Sequence, residues 1–164
     1  MMQKWNLKSI TKEILLGIAL IFILTNIISY LRQPTLDSAQ LPPIEVQLID
    51  GSLFRAVTGR PLVIHFWATW CPTCRLEAAN IERVSESYEV LSIAVNSGTD
   101  DDIEKYMKQN QLSFKVLNDP KGIWAKKFNV EAYPTTFIYD AKAKLKFTEV
   151  GYTSTAGLLA RLAL

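Results

Sequence analysis

The chain has 164 residues, of which 49% are hydrophobic and 21% are charged, which is enough for one packed domain plus a shorter segment. Its formal net charge of +2 gives no electrostatic basis for binding nucleic acid, so we expect no such partner. The two cysteines lie three positions apart, and the chain has a single histidine. These residues are too few for an ordinary structural zinc site, so we expect no metal and no cofactor.

Residues 14–31 form an apolar segment that predicts a single transmembrane helix. Lys4, Lys8 and Lys12 precede it, and the positive-inside rule therefore places residues 1–13 in the cytoplasm and the rest of the chain outside. The alternative is a cleaved signal peptide, but the segment is long for one and no pair of small residues follows it at cleavage spacing. We therefore favour an uncleaved anchor.

Residues 32–43 are polar, have prolines at both ends, and predict a short linker. Strand and helix patterns alternate across residues 44–164, which predicts an α/β domain with a central mixed sheet and helices on both faces. In chain order the predicted elements are a hairpin from Ile44 to Phe54, a strand from Pro61 to Trp67, a helix after Cys71 that fades near Tyr88, a strand from Val90 to Val95, a helix from its cap at Asp100 to about Gln109, a strand from Phe114 to Leu117, a short helix from Ile123 to Phe128, strands from Thr135 to Tyr139 and Leu145 to Val150, and a helix capped by Ser154.

The two cysteines lie where a buried strand gives way to a helix, in the sequence WATWCPTC. Unpaired N–H groups and the dipole at a helix N-terminus favour thiolate over thiol, so Cys71 is a candidate nucleophile. Pro72 suits the first helical position, and Cys74 is close enough to attack a mixed disulfide formed by Cys71. The alternative is an inert structural disulfide, which an exported dithiol at the start of a helix makes the weaker interpretation.

Together with the later segment VEAYPTTF, these residues resemble the thioredoxin superfamily over nearly all of residues 44–164. WATWCPTCRLEAANI is similar to the membrane-tethered TlpA, ResA and CcmG (DsbE) branch, and most of all to the ScsD type associated with suppression of copper sensitivity. The resemblance implies a cis-proline at Pro134 lying against the dithiol, with Tyr133 as its neighbour. It also implies a strand–helix insertion spanning roughly Tyr88 to Leu112.

Two further candidates concern the proton of the second cysteine. Plain thioredoxins have a buried acid where this chain has His65, and a neutral imidazole can accept a proton near neutral pH. The alternative, which we favour, is a buried histidine with a satisfied hydrogen bond. ResA-like proteins have a glutamate where this chain has Glu77, one helical turn after Cys74, and a partly desolvated carboxylate there can accept its proton. A solvent-facing charge is the equally weighted alternative for Glu77.

The remaining candidates are contacts for a docking protein. Trp70 offers apolar area beside the dithiol, whereas Trp67 is expected in the core. Pro72, Thr73 and Tyr133 complete the predicted substrate-binding set. Strong oxidants of this type carry a histidine between the cysteines, and the neutral Thr73 in this chain weakens that interpretation.

We therefore predict a thiol–disulfide oxidoreductase anchored in the inner membrane, with its catalytic domain in the periplasm. The expected role is reduction of disulfides in exported proteins, in cytochrome c maturation, for a disulfide isomerase or under copper stress. The resemblance implies recharging by a membrane electron donor of the DsbD or ScsB type. The alternatives are an oxidant that donates its disulfide, and a metallochaperone that binds copper(I) through the two thiols.

Overall fold

The computed structural model describes residues 7–36 and 38–164, and the chain divides into two compact units, Met1–Arg32 and Gln33–Leu164. Lys4 and the rest of the predicted cytoplasmic segment up to residue 6 lie outside the described residues. The boundaries predicted for the cytoplasmic segment, anchor, linker and domain stay predictions.

The first unit contains one long helix, α1, Leu7–Leu31. Its stretch Ile10–Leu31 has a mean hydropathy of 2.4, and 22 residues at 1.5 Å each match the hydrocarbon core of a bilayer. The described side chains of this stretch are almost all exposed. Length and composition therefore fit a membrane anchor and equally a signal sequence.

The second unit is an α/β domain, as predicted. Its strands and helices are β1 Glu45–Gln47, β2 Leu53–Arg55, β3 Leu62–Trp67, α2 Pro72–Ser85, β4 Glu89–Val95, α3 Asp100–Gln109, β5 Lys115–Asp119, α4 Ile123–Lys127, β6 Thr135–Tyr139, β7 Leu145–Val150 and α5 Thr155–Leu162. Strands β1 and β2 form an antiparallel hairpin, and the other five form one sheet in the order β5-β4-β3-β6-β7. Strands β3, β4 and β5 run parallel to one another, whereas β6 is antiparallel to both of its neighbours, β3 and β7. The sheet is therefore mixed.

Two hydrophobic cores cover the two faces of this sheet. One lies between the sheet and helices α2, α3 and α5, and the other between the sheet, the hairpin and α4. Strand β3 is buried on both faces, so its side chains alternate between the two cores. The insertion implied by the resemblance contains β4 and α3. The predicted fold class is confirmed.

The segment 32–43, predicted to be a linker, contacts the domain along strand β7. The amide of Gln33 donates to the carbonyl of Thr148 (2.7 Å), and the N–H of Leu145 donates to the carbonyl of Ala39 (2.7 Å). These bonds satisfy backbone groups at the open edge of the sheet, a role that its polar, proline-containing sequence did not indicate.

The helix caps were predicted with mixed success. Ser154 caps α5 as expected, accepting the N–H of Gly157. The cap of α3 is Thr99 rather than Asp100, because the side chain of Thr99 accepts the N–H of Asp102 while the Asp102 carboxylate accepts the N–H of Thr99. This capping box satisfies two N–H groups at once, whereas Asp100 lies inside the first turn.

Asp119, at the end of β5, caps α4 from outside the helix. Its carboxylate accepts the N–H of Ile123 (2.7 Å) and the N–H of Ala125 (2.9 Å), and the residue is buried. The backbone carbonyl of Asp119 also accepts the N–H of Asn96 (3.2 Å). The same residue thus fixes α4 and the end of β4.

We expect Asp119→Ala to lower the free energy of unfolding by about 1–3 kcal/mol, since two helix N–H groups lose a buried charged acceptor. Urea denaturation measures this change. The control is Asp101→Ala in the first turn of α3, where the side chain is exposed and a loss below about 1 kcal/mol is expected. Equal losses in the two variants would contradict the capping role.

Candidate active site

Cys71 and Cys74 lie at the start of α2, joined by a disulfide with their Cα atoms 5.3 Å apart. Cys71 is the N-cap residue of α2, with an extended backbone (φ −83°, ψ 115°), and its sulfur accepts the N–H of Cys74 (3.2 Å). Pro72 occupies the first helical position, as predicted. The first turn of the helix therefore directs an N–H group at the sulfur of Cys71, which favours its thiolate form after reduction.

The two cysteines are both buried, and Cys71 is slightly the more exposed. Cys71 keeps 5% of its surface exposed and Cys74 only 1%, because Cys74 lies on the face of α2 that packs into the core. An incoming disulfide therefore meets Cys71 first.

The loop before β6 lies against the dithiol. The Tyr133–Pro134 peptide bond is cis, as the resemblance implies, and the carbonyl oxygen of Tyr133 lies 3.6 Å from the sulfur of Cys71. The carbonyl of Pro134 in turn accepts the N–H of Gly151 (2.8 Å). The loop thus lies beside the sulfur of Cys71 and is bonded to the residue that follows β7.

Trp70 is 54% exposed next to Cys71. Its indole N–H donates to the carbonyl of Asn96 (3.0 Å), and its ring meets the ring of Tyr133 edge to face at 5.8 Å. Asn96 adopts a positive φ of 47°, a conformation that asparagine tolerates better than most residues. The exposed indole is therefore held in place at the rim of the site, whereas Trp67 is buried in the core as expected.

Several side chains that follow Cys71 in the first turns of α2, and one in the loop after β7, are exposed. Pro72 is exposed and Thr73 half-buried on the outer face of the first helical turn. Leu76, on the next turn, is 73% exposed, and Tyr152, in the loop after β7, is 55% exposed. Sequence reasoning gave no site role to Leu76, although it lies in the motif WATWCPTCRLEAANI, or to Tyr152, which lies in no motif.

Glu77 is fully buried beneath the dithiol, so its interpretation as a solvent-facing charge is wrong. It lies one turn after Cys74 on the same buried face of α2. One carboxylate oxygen accepts the N–H of Thr153 (3.0 Å), and the other has no hydrogen-bond partner among the described residues. Burial raises the pKa of Glu77 from its ordinary value of 4.5 to about 8, with a smaller contribution from the charge of Glu149.

His65 lies on β3, buried on the sheet face that α2 covers. Its Nδ1 atom is 2.9 Å from the hydroxyl of Thr136, its cross-strand neighbour on β6. Burial lowers the pKa of His65 to about 3, so the imidazole is neutral at physiological pH. His65 therefore has the hydrogen bond that was expected of a buried structural histidine.

The site also uses residues that the sequence did not identify, since backbone contacts leave no motif. Thr153 supplies the N–H to Glu77, and Asn96 supplies the carbonyl to Trp70. The register of β3 against β6, which pairs His65 with Thr136, is set by tertiary structure. Across residues 7–36 and 38–164, no group of three or more His, Cys, Asp or Glu side chains is arranged to hold a metal ion.

Comparison with known proteins gives consistent matches. Residues 38–148 match the AhpC/TSA family. The chain is 31% identical to a thioredoxin-like protein of Haemophilus influenzae over 85% of both chains, and 29% identical to sporulation thiol-disulfide oxidoreductase A of Bacillus subtilis over 57% of this chain and 61% of that one. A secreted Mycobacterium tuberculosis disulfide oxidoreductase, described as homologous to E. coli DsbE, superposes with a TM-score of 0.64 at 25% identity, over 73% of this chain and 94% of that one.

Proposed function

Because this chain belongs to the AhpC/TSA family and is a thioredoxin-like thiol–disulfide oxidoreductase, we propose that it works as a membrane-tethered reductase of disulfides in exported proteins. The observation that carries the proposal is the Cys71–Cys74 disulfide at the N-terminus of α2, with the carbonyl of Tyr133 beside the sulfur of Cys71. This arrangement offers one accessible sulfur for attack and one buried sulfur for release.

In the proposed cycle, the thiolate of reduced Cys71 attacks a substrate disulfide. A bond forms between Cys71 and one substrate sulfur, and the other substrate sulfur leaves as a thiolate that takes a proton from water. Cys74 then loses its proton to the ionised form of Glu77 and attacks Cys71, which forms the Cys71–Cys74 disulfide and expels the second substrate thiolate. Two electrons pass to the substrate, and an external dithiol must return them.

We assign the neighbouring residues supporting roles. Pro134 and Tyr133 place backbone beside the dithiol, and Trp70, Pro72 and Thr73 form the docking rim for an extended substrate segment. Burial raises the pKa of Glu77 to about 8, so its ionised form is a stronger base toward Cys74 than an ordinary glutamate carboxylate. We propose a structural role for His65, which stays neutral and bonded to Thr136.

The direction of electron flow is the reductive one in this proposal. Thr73 supplies no positive charge between the cysteines, so the thiolate of Cys71 gains less stabilisation than in strong oxidants and the disulfide is less easily reduced. Electrons come from a membrane donor of the DsbD or ScsB type. The substrates are apocytochrome cysteines, a disulfide isomerase or a copper-handling protein of the ScsD setting.

The reduction potential of the full-length protein in detergent, equilibrated with dithiothreitol or glutathione, tests this direction. A value near or below about −270 mV supports a reductase. A value near about −120 mV contradicts it and identifies a disulfide donor. The absence of a reversible dithiol couple contradicts the whole proposal, and copper(I) binding is then the function to measure.

The proposed location has its own test. A phosphatase reporter that folds only outside the cytoplasm, fused after Leu164, is expected to be active and to stay in the membrane fraction. Mass spectrometry of the purified chain is expected to find α1 intact. A chain cut after α1, or an inactive reporter, contradicts an uncleaved anchor with the domain in the periplasm.

We expect Trp70→Ala to lower kcat/KM for a disulfide-bonded protein by about tenfold, equivalent to about 1.4 kcal/mol of lost binding, because an exposed indole next to the nucleophile supplies apolar contact area. Activity toward a small disulfide such as oxidised glutathione is expected to change little. The control is Leu53→Ala, which removes a similarly exposed apolar side chain from the hairpin. Equal losses on both substrates would contradict a docking role.

A further inference from the structure

A row of polar side chains crosses the sheet beneath α2. His65 on β3 is directly opposite Thr136 on β6, and Thr136 is directly opposite Glu149 on β7. Residues opposite one another in antiparallel strands project from the same face of a sheet. The row therefore lies on the face covered by α2 and α5, and an acidic side chain at its β7 end is unusual in such a place.

Arg161 on α5 holds Glu149 there. Its Nε atom donates to the carboxylate of Glu149 (2.5 Å), and a second guanidinium nitrogen donates to the carbonyl of Gly157 (2.8 Å). The guanidinium also lies over the ring of Phe147, 6.0 Å from its centroid. The side chains of Glu149 and Arg161 are only 20% and 30% exposed, so this pair is screened less by water than a surface pair.

Glu77 is attached to the same region from the side of α2. Its carboxylate accepts the N–H of Thr153, in the segment that connects β7 to α5. The amide of Asn80, one turn further along α2, donates to the carbonyl of Thr153 (3.0 Å) and accepts from the hydroxyl of Thr155 (2.9 Å). These hydrogen bonds attach α2 to the segment that connects β7, which carries Glu149, to α5, which carries Arg161.

The charged and titratable groups around Glu77 come from several elements of the fold. Helix α2 contributes Cys74 and β3 contributes the neutral His65. Strand β7 contributes Glu149, which pairs with Arg161 of α5. Burial is the main reason for the raised pKa of Glu77, and the negative charge of Glu149 raises it further.

We propose that Glu149 and Arg161 are positioning residues of this oxidoreductase, an ion pair that sets the charge state of the buried Glu77 carboxylate and through it the proton exchange with Cys74. The inference rests on the proposed function for its consequence in the redox cycle. The two members act with opposite signs: the Glu149 carboxylate disfavours ionised Glu77, and the Arg161 guanidinium offsets this effect.

The test is a carbon-13 NMR titration of the Glu77 carboxyl group in the oxidised full-length protein in detergent, with the resonance assigned by its loss in Glu77→Gln. Glu149→Gln is expected to lower the titration midpoint and Arg161→Gln to raise it, each by about half a pH unit or more. Arg55→Gln, which breaks the exposed Glu45–Arg55 ion pair of the hairpin, is the matched control and is expected to cause no shift.

Opposite shifts distinguish an electrostatic role from a structural one. If the pair only maintained packing, both variants would loosen the site and move the Glu77 midpoint in the same direction, toward its ordinary value. Shifts of one sign, or no shift in either variant, overturn the inference. If Arg161→Gln does not fold, Glu149→Gln is compared with Glu149→Asp, which keeps the negative charge: a midpoint lowered only in Glu149→Gln supports the inference, and equal shifts in the two variants overturn it.

The consequence for the redox cycle is measured separately, as the pH profile of the closing step that releases substrate from Cys71. The inflection of this profile is expected to move down in Glu149→Gln and up in Arg161→Gln, while Arg161→Lys, which keeps the positive charge, restores most of the wild-type profile. Unmoved inflections in an active enzyme overturn the inference and leave the proposed function standing. If the wild-type protein shows no reversible dithiol couple but the carboxyl shifts still occur in the variants, the proposed function is contradicted and the electrostatic inference is not.

Discussion

A Cys74→Ser variant is expected to lose turnover and to remain joined to its protein substrates through Cys71. Cys71 caps the helix and is the more exposed of the two sulfurs, so it still attacks a disulfide when Cys74 is absent. The mixed disulfide then has no neighbouring thiol to resolve it. Non-reducing electrophoresis followed by mass spectrometry is expected to detect adducts that disappear with dithiothreitol.

The matched variant is Cys71→Ser, which keeps the same number of thiols. It is expected to form no adducts, because the remaining sulfur at Cys74 is buried in the core. Turnover in both single variants is expected to equal that of the Cys71→Ser, Cys74→Ser double variant. Adducts formed mainly by Cys71→Ser would reverse the roles given to the two cysteines.

The sequence predicted the parts of this molecule that depend on local patterns. The alternation around Ile44 and Val46, the continuous apolar run of β3 and the proline after Cys71 each determine an element by themselves. The position of Pro134 beside the dithiol needed the resemblance, because no local pattern connects residues sixty positions apart. The element bounds differ from the predicted ones by a few residues, as expected from fraying ends.

The environment of the site could not be predicted, because it depends on which faces pack together. A glutamate three residues after Cys74 shares its face of the helix, but the sequence does not show whether that face is buried at Glu77. Only the packing of α2 against the sheet and α5 buries it. The same holds for Arg161, which in sequence is one more basic residue in a terminal helix. Segment 32–43 has the composition of a linker, yet backbone groups in it pair with β7.

Burial shifts the pKa values of the two titratable groups under the dithiol in opposite directions. It lowers the pKa of His65 to about 3 and raises that of Glu77 to about 8, because in each case the charged form is disfavoured. Both groups are therefore largely uncharged at pH 7 in the oxidised protein. Only Glu77 titrates near the ordinary range of a thiol, which makes it rather than His65 the candidate for proton exchange with Cys74.

Replacing Glu77 with glutamine is expected to remove the fall in stability between about pH 6.5 and pH 8, which lies above the range where the lowered pKa of His65 contributes the opposite slope. The folded state binds the Glu77 proton up to a pKa of about 8, whereas the unfolded chain releases it near 4.5. Folded Glu77 therefore binds more proton than unfolded Glu77 in this window, and its contribution to the free energy of unfolding falls as the pH rises, by a few kcal/mol. Glutamine stays neutral and can still accept the N–H of Thr153.

Urea denaturation of the oxidised protein at several pH values measures this difference. Glu77→Gln and the wild type are expected to be similarly stable at pH 4.5, with the variant more stable at pH 9. Glu86→Gln, at the exposed end of the same helix, is the control and is expected to follow the wild type. Parallel curves for wild type and Glu77→Gln would mean that Glu77 has no raised pKa.

The same substitution separates stability from catalysis. Without a carboxylate to take the proton of Cys74, the release of substrate from the mixed disulfide is expected to slow by about a hundredfold near pH 7. The attack of Cys71 on the substrate is expected to be little changed, because it precedes that proton transfer. Stopped-flow measurement of the two steps, with Glu86→Gln as control, distinguishes them. An unchanged release rate in a stabilised Glu77→Gln protein would show that the buried carboxylate costs stability without serving the exchange reaction, and the proton of Cys74 would then have to leave through solvent.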